Sequence, residues 1–235
     1  MPAIGEAQPL DIIRLMAKKS GFPRSFTQRT AASICRRHPE PIVMPTIVTH
    51  GFVATLLGKS LAAGRLPARF WFLSVLSSIL PDADVLGFPL GIGYEDVLGH
   101  RGLTHSLAFA SALSLIVAFL AFPRPAKKST RFLLISYFFV VTASHGALDA
   151  MTDGGLGVAF FAPFDDTRYF FPFRPIKVSP IGLSFFGARG LDVLGSEVLW
   201  VWIPATIVAG AILLCRKLRR PHVADLPSAS LMERD

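Results

Sequence analysis

Five stretches free of Asp, Glu, Lys and Arg alternate with charged connections along the chain. They cover residues 41–58, 70–81, 102–123, 132–148 and 198–215. A helix needs roughly 17–25 largely apolar residues to cross a bilayer. The stretches at 102–123 and 198–215 reach that length outright, and 132–148 reaches it if its polar end meets the interface. The other two read as shorter or tilted spans, or as helices buried against neighbours. The pattern predicts an all-α polytopic membrane bundle of about four or five membrane-embedded helices, with an irregular extracytoplasmic segment after the fourth. A soluble helical core is disfavoured, because the remaining polar surface is too small to cover three such stretches.

Composition sharpens this reading. Hydrophobic residues make up 51% of the chain, and the mean hydropathy is +0.50. Charged residues make up 17%, below the ~25% usual for soluble domains. Such a chain is not disordered. Its two cysteines, Cys35 and Cys215, lie far apart and suggest neither a disulfide framework nor a Cys-based metal site.

The net charge of +8 raises nucleic acid as a partner, but the placement of the cations argues for membrane topology instead. Arg124, Lys127, Lys128 and Arg131 join the third and fourth stretches with no acid among them. Arg216, Lys217, Arg219 and Arg220 follow the fifth, and Arg65 and Arg69 separate the first two. Cytoplasmic flanks carry such an excess. Residues 81–101 hold Asp82, Asp84, Glu95 and Asp96 against Arg101, so this connection and 149–197 read as external. The second stretch then runs outward, the third inward, the fourth outward and the fifth inward. The head, residues 1–40, has seven Lys/Arg and three acids and does not fit an external start. A re-entrant first stretch or a local exception to the rule would accommodate it. A translation start at Met44 is favoured, dividing the chain into a basic extension (1–43), a membrane domain (44–216) and a polar tail (217–235).

Ionisable groups within apolar stretches are costly and point to function. Four places hold them: His50 in PTIVTHGFVA, Asp82 and Asp84 in SSILPDADVLGF, His100 and His105 in HRGLTHS, and His145, Asp149 and Asp153 in HGALDAMTDGG. Pro81 is expected to stop a helix just before the paired acids. Thr104 stands where an N-cap would open the third helix, and Gly102 would let the two flanking imidazoles converge. Arg101 between them suits a phosphoryl oxygen. His145 and Asp149 are spaced i, i+4 on one helix face, and Asp153 would extend that face by a turn. The charge-derived topology puts all four clusters at one outer rim. Metal ligation is expected of His50, Asp82, Asp84, His100, His105, His145 and Asp149. These residues would hold one to three divalent ions, with zinc favoured and manganese or iron as alternatives.

The segments MPTIVTHGFVA, PDADVLG, HRGLTHS and HGALDAMTDGG resemble the YdjM family of inner-membrane proteins described as metal-dependent hydrolases, some under LexA (SOS) control. The resemblance runs from about Met44 to about Ile181 and takes in PFDDTRYFFPFRPI. More distantly, the pattern is similar to zinc-dependent phospholipase C and P1-type nucleases. That similarity implies ligand roles for His50, Asp82 or Asp84, His100, His105, His145 and Asp149. The His-rich final helix of those soluble enzymes has no counterpart here.

The leading expectation is an inner-membrane hydrolase that acts on phosphoesters, such as lipid headgroups, at the extracytoplasmic face through metal-activated water. Asp84 or Asp153 would serve as general base, and Arg101 would stabilise charge on the phosphoryl group. Arg168 and Arg174 are candidates for binding the headgroup or for anchoring at the interface. The rival reading is a non-enzymatic membrane protein that binds divalent metal for transport or sensing. A third has the His and Asp residues as interhelical hydrogen bonds without metal. No G-x-S-x-G, H-E-x-x-H or Walker motif occurs, and nucleic acid is not expected.

Overall fold

The computed structural model of the protein describes residues 43–44, 46–62, 64–124, 127–180 and 187–219. The basic head with Cys35, and the end of the tail with His222, lie outside the described residues. Among the described residues, six α-helices carry the fold: α1 (Ile47–Leu61), α2 (Ala68–Ile79), α3 (Leu107–Ile116), α4 (Lys128–Ala150), α5 (Ala188–Glu197) and α6 (Ile203–Leu218). A two-residue antiparallel pairing of β1 (Val43–Met44) with β2 (Ser179–Pro180) ties the start of α1 to the irregular segment after α4. The architecture is the expected all-α membrane bundle.

Among the described residues, three helical segments are long and apolar enough to cross a membrane: Ala68–Leu90 (23 residues), Lys128–Ala150 (23 residues) and Arg189–Leu218 (30 residues). Ile47–Leu61 and Leu107–Ala121 are shorter. This reverses two expectations. The stretch at 70–81 does not stop at Pro81, because the chain winds on as a 3₁₀ helix over Leu80–Leu90 with Pro81 in its first turn, where a missing N–H costs nothing. The stretch at 102–123 falls short of a full span, because its first residues are spent on a tight turn at Leu103–His105 and only Leu107–Ala121 is continuous helix, its last five residues a π turn. Ser106, not Thr104, caps α3, accepting from the Phe109 N–H at 3.1 Å. Ser106 is extended while Leu103–His105 is already coiled, so the helix can only begin after it.

Helix α4 is the central post, packed against α1, α2 and α3. The core joins Ala54, Phe70, Val117, Phe122, Tyr137, Phe138 and Val141. Membrane helices gain little from the hydrophobic effect against one another and depend on close packing and interhelical hydrogen bonds. Both occur beside Gly58, where the Tyr137 hydroxyl lies 3.0 Å from the Ala54 carbonyl and 3.0 Å from Ser74 Oγ. Helix α6 packs chiefly on α1 and leaves Ile207, Val208, Leu214 and Leu218 exposed, as a lipid-facing helix should.

The two ends of the bundle differ in chemistry. At one end Arg216 donates to the Ser60 carbonyl at 2.6 Å, Arg131 caps the carbonyls of Ala118, Phe122 and Pro123, and Arg69 lies over the Phe122 ring. The other end collects the start of α1, the end of the second span, the start of α3 and the end of α4. The four ionisable clusters therefore converge on one rim.

A Cβ at Gly58 would lie 2.8 Å from the Trp71 ring and 2.9 Å from the Tyr137 hydroxyl. Gly58→Val is expected to wedge α1 from α2 and α4 and to cost about 1–3 kcal/mol, read as a lowered unfolding temperature in detergent with metal content per folded protein unchanged.

Candidate metal centre

The centre is built from the residues at four helix ends. His145 and Asp149 share the inner face of α4 and are completely buried. The His145 Nδ1–H donates to the Ser78 carbonyl at 2.7 Å. That partner can only accept, so the Nε2 of neutral His145 carries a lone pair. His105 is fixed in the same way. The Thr104 hydroxyl donates to Asp84 Oδ2 at 2.7 Å, and His105 Nδ1 lies 3.0 Å from that hydroxyl and 3.2 Å from the same carboxylate oxygen. Its Nδ1 carries the hydrogen, and its Nε2 is also a lone pair.

These two Nε2 atoms face each other at 3.1 Å. Asp82 Oδ1 lies 3.2 Å from His145 Nε2 and 3.5 Å from His105 Nε2. Asp149 Oδ2 lies 3.3 Å from His105 Nε2 and 4.0 Å from His145 Nε2. Four acceptors thus point at a common centre with no donor among them. A tetrahedral ion with bonds of about 2.0–2.2 Å needs ligand-to-ligand edges of about 3.3–3.6 Å, close to the spacing found. Asp82, His105, His145 and Asp149 together can hold a metal ion. Three carboxylates in the cluster (Asp82, Asp84 and Asp149) against the single guanidinium of Arg101 leave two negative charges, which a divalent cation would balance.

Asp84 stands behind this set. Its Oδ1 accepts from His100 Nδ1 at 2.8 Å, and its Oδ2 accepts from the Arg101 backbone N–H at 3.2 Å and from Thr104 and His105. Asp84, His100 and His105 form a second candidate group, but it needs the His105 nitrogen that the first group uses for orientation. With donors on both carboxylate oxygens, Asp84 organises the HRGLTHS turn and orients the His105 ring, as carboxylates behind metal-bound imidazoles do. The general-base role expected of it would compete with these donors. Both paired acids reach the same imidazole. They sit on a 3₁₀ helix, and the His105 ring lies between them, Nε2 toward Asp82 and Nδ1 toward Asp84.

Arg101 is fully buried and has a positive φ of 63°, rare for a non-glycine residue. Its Nε lies 3.2 Å from Asp149 Oδ2, and its Nη1 donates to Thr152 Oγ1 and to the Gly154 carbonyl. The guanidinium expected to meet a phosphoryl group is engaged inside the protein as the holder of Asp149. The left-handed residue is Arg101 and not Gly102, whose φ is −87°. Glycine is needed at 102 because a Cβ there would lie 2.2 Å from the Val97 carbonyl.

His50 is buried, its ring stacked on His145 at 3.8 Å, with Nε2 3.9 Å from Asp149 Oδ1. Neither ring nitrogen has a hydrogen-bond partner, nor do Asp149 Oδ1, Asp82 Oδ2 and His100 Nε2. Asp153 departs from expectation. Helix α4 ends at Ala150, so the i, i+4 face is not continued, and Asp153 is exposed with its Oδ1 accepting from the Val178 N–H. Arg168 also departs, its guanidinium spanning the carbonyls of His100, Tyr94 and Asp96. Arg174 is exposed and stacks over Phe170.

Sequence reasoning passed over several contributors. Gly146 lets the His105 carbonyl press against α4, since a Cβ there would lie 2.8 Å from that oxygen. Its place beside His145 was the available signal. Tyr94 packs edge-on to His100 at 5.2 Å, and burial raises its pKa against the opposing charge of Arg101. Glu197 is wholly buried beside Thr46 and Thr49, and a lone acid heading the most apolar stretch could have marked it.

An apolar helical bundle that gathers imidazoles and carboxylates at one buried rim is a polytopic membrane protein with a candidate metal centre. The model for the family described as YdjM inner membrane protein matches residues 44–220, and the chain belongs to that family of inner-membrane proteins. Inner membrane protein YbcI of Escherichia coli (strain K12) is 39% identical over 173 residues, 72% of this chain and 97% of that protein. No solved structure matches the chain.

Without a metal, the carboxylates around His105 favour its protonated form. Burial acts to lower the His105 pKa, but hydrogen bonds to the Asp149, Asp82 and Asp84 carboxylates outweigh it and raise the pKa well above the usual imidazole value. Protonation then stabilises the folded state. That contribution is complete below the unfolded-state pKa, about 6.5, and is lost as pH rises through the raised folded value. Chelator-treated protein should melt at a lower temperature at pH 9 than at pH 6. Added zinc should raise the melting temperature more at the higher pH, because ligands bind metal deprotonated. A chelator-insensitive melting temperature with no pH trend would contradict both statements.

Proposed function

We propose that this protein is a metal-dependent hydrolase of phosphoesters, with a single zinc ion at the extracytoplasmic rim of the inner membrane. The observation that supports it most is the set of inward-facing acceptors without a donor. Asp82, His105 and His145 form the tightest face and would hold the ion. Mixed imidazole and carboxylate donors suit zinc, and the two uncompensated charges suit one divalent ion. When bound, such an ion lowers the pKa of a coordinated water and polarises a phosphoryl oxygen.

The chain's own groups supply the rest. Arg101 lies 3.2 Å from Asp149 Oδ2, while Oδ1 accepts no hydrogen bond and has His50 at 3.9 Å. Asp149 Oδ1 is therefore the atom suited to take a proton from an attacking water. His50 faces that oxygen and offers a further imidazole. The external placement of the rim is supported by the opposite end, where the Lys and Arg residues collect. A phosphoester in a lipid headgroup would lie at the depth of such a rim.

Elemental analysis of detergent-purified protein should find one zinc per chain, lost in His145→Ala and in Asp82→Asn. Asp149→Asn, assayed with zinc saturating, should lose at least about a hundredfold of the turnover of bis(p-nitrophenyl) phosphate, as expected when a general base is removed. Stoichiometric zinc in a wild type that turns over no ester would point to a metal-binding role in transport or sensing. No zinc would leave the cluster as interhelical hydrogen bonds.

Alkaline phosphatase fused after residue 95 should be active and fused after residue 128 inactive. The opposite pattern would place the rim in the cytoplasm.

A further inference from the structure

Glu197 is a buried acid in a membrane-spanning segment, a placement that is costly unless it has a purpose. Its Oε1 accepts from the Thr46 backbone N–H at 2.6 Å. Its Oε2 accepts from the Thr46 hydroxyl at 2.6 Å and the Thr49 hydroxyl at 2.7 Å. Trp202 Nε1 donates to the same Thr49 oxygen at 2.8 Å, and the Trp202 ring stacks on Phe52 at 4.7 Å. Among the described residues no cation pairs with this carboxylate. Its partners are all on the first turn of α1.

The backbone is adapted to this contact. Between α5 and α6 the chain forms a π turn at Val198–Trp202. Residues five apart on an α-helix point about 140° away from each other. The wider π turn brings Glu197 and Trp202 round to the same side, so both reach Thr49. Such turns recur at functional sites.

The residue after Thr49 is His50. Neither of its ring nitrogens has a hydrogen-bond partner, unlike His105 and His145, whose Nδ1 atoms are held. The position of His50 is left to the helix turn that carries it and to its stack on His145. We propose that Glu197 is a positioning residue of the metal centre: it pins the first turn of α1 to the last membrane helix, so that His50 lies over His145 and faces Asp149. The proposal rests on the metal reading above.

The test measures zinc affinity by competition with a chromophoric chelator. It compares wild type, Glu197→Ala, Glu197→Gln, His50→Ala and the His50→Ala/Glu197→Ala double variant. Each is purified in detergent and checked for folding by size exclusion and thermal melting. Glu197→Ala should weaken zinc binding about tenfold or more, the range for residues that orient ligands. Glu197→Gln should restore most of it, because its amide oxygen can still accept from the Thr46 N–H. In the His50→Ala background the Glu197 substitution should have no further effect, as a role exerted through His50 requires. An equal loss in both backgrounds, or no loss in the first, would overturn the proposal. Should Glu197→Ala fail to fold, Thr49→Val carries the same comparison. A wild type that binds no zinc would remove the metal reading itself, whereas an indifferent Glu197→Ala in zinc-binding protein would remove only this role.

Discussion

The rim of this bundle is governed by a repulsion. Two imidazole lone pairs and two carboxylate oxygens meet within 4.8 Å of one another, each imidazole nitrogen 3.1–4.0 Å from the other three atoms, in surroundings from which water is largely excluded. Acceptors so placed cannot satisfy each other, and the low local dielectric magnifies the cost. Only a cation at their centre turns the arrangement from unfavourable to favourable. A proton on His105 does so in part, and a divalent ion would do so for every group at once.

The surrounding structure keeps this repulsion from relaxing. The Ser78 carbonyl and the Thr104–Asp84 pair fix the two imidazoles so that neither can rotate to offer an N–H. Arg101, in a strained backbone conformation, holds Asp149 from the far side. Gly146 admits the His105 backbone against α4. Each of these groups lies outside the set of acceptors, and each removes a freedom that would let the set disperse.

The bundle has a chemical polarity that follows from its solvent. Apolar side chains are exposed along α6 and the lipid-facing sides of the other helices, where a soluble protein would be polar. Arg69, Arg131 and Arg216 gather at one end, where they cap carbonyls and lie over aromatic rings, while Arg101 and Arg168 at the rim are taken up by carboxylate and carbonyl partners. The polar rim occupies the other end, where helices start and stop and backbone groups need partners.

The sequence by itself determined the class of fold and the inventory of the rim. Long uncharged stretches require helices in lipid, and His and Asp residues set at their ends are too costly to be incidental. The i, i+4 spacing placed His145 and Asp149 on one face because helix geometry is local. Tertiary structure decided how the roles divide. Asp82 and Asp84 are alike in sequence, yet one faces the centre and the other supports it, because the His105 ring from a distant turn falls between them. Arg101 became the holder of Asp149, and Asp153 left the face, because the chain departs from helix after Ala150. The partners of Glu197 could not be read locally at all, since they lie about 150 residues away in Thr46 and Thr49. Spacing along a chain fixes which residues share a face, and only packing between faces fixes what each side chain meets.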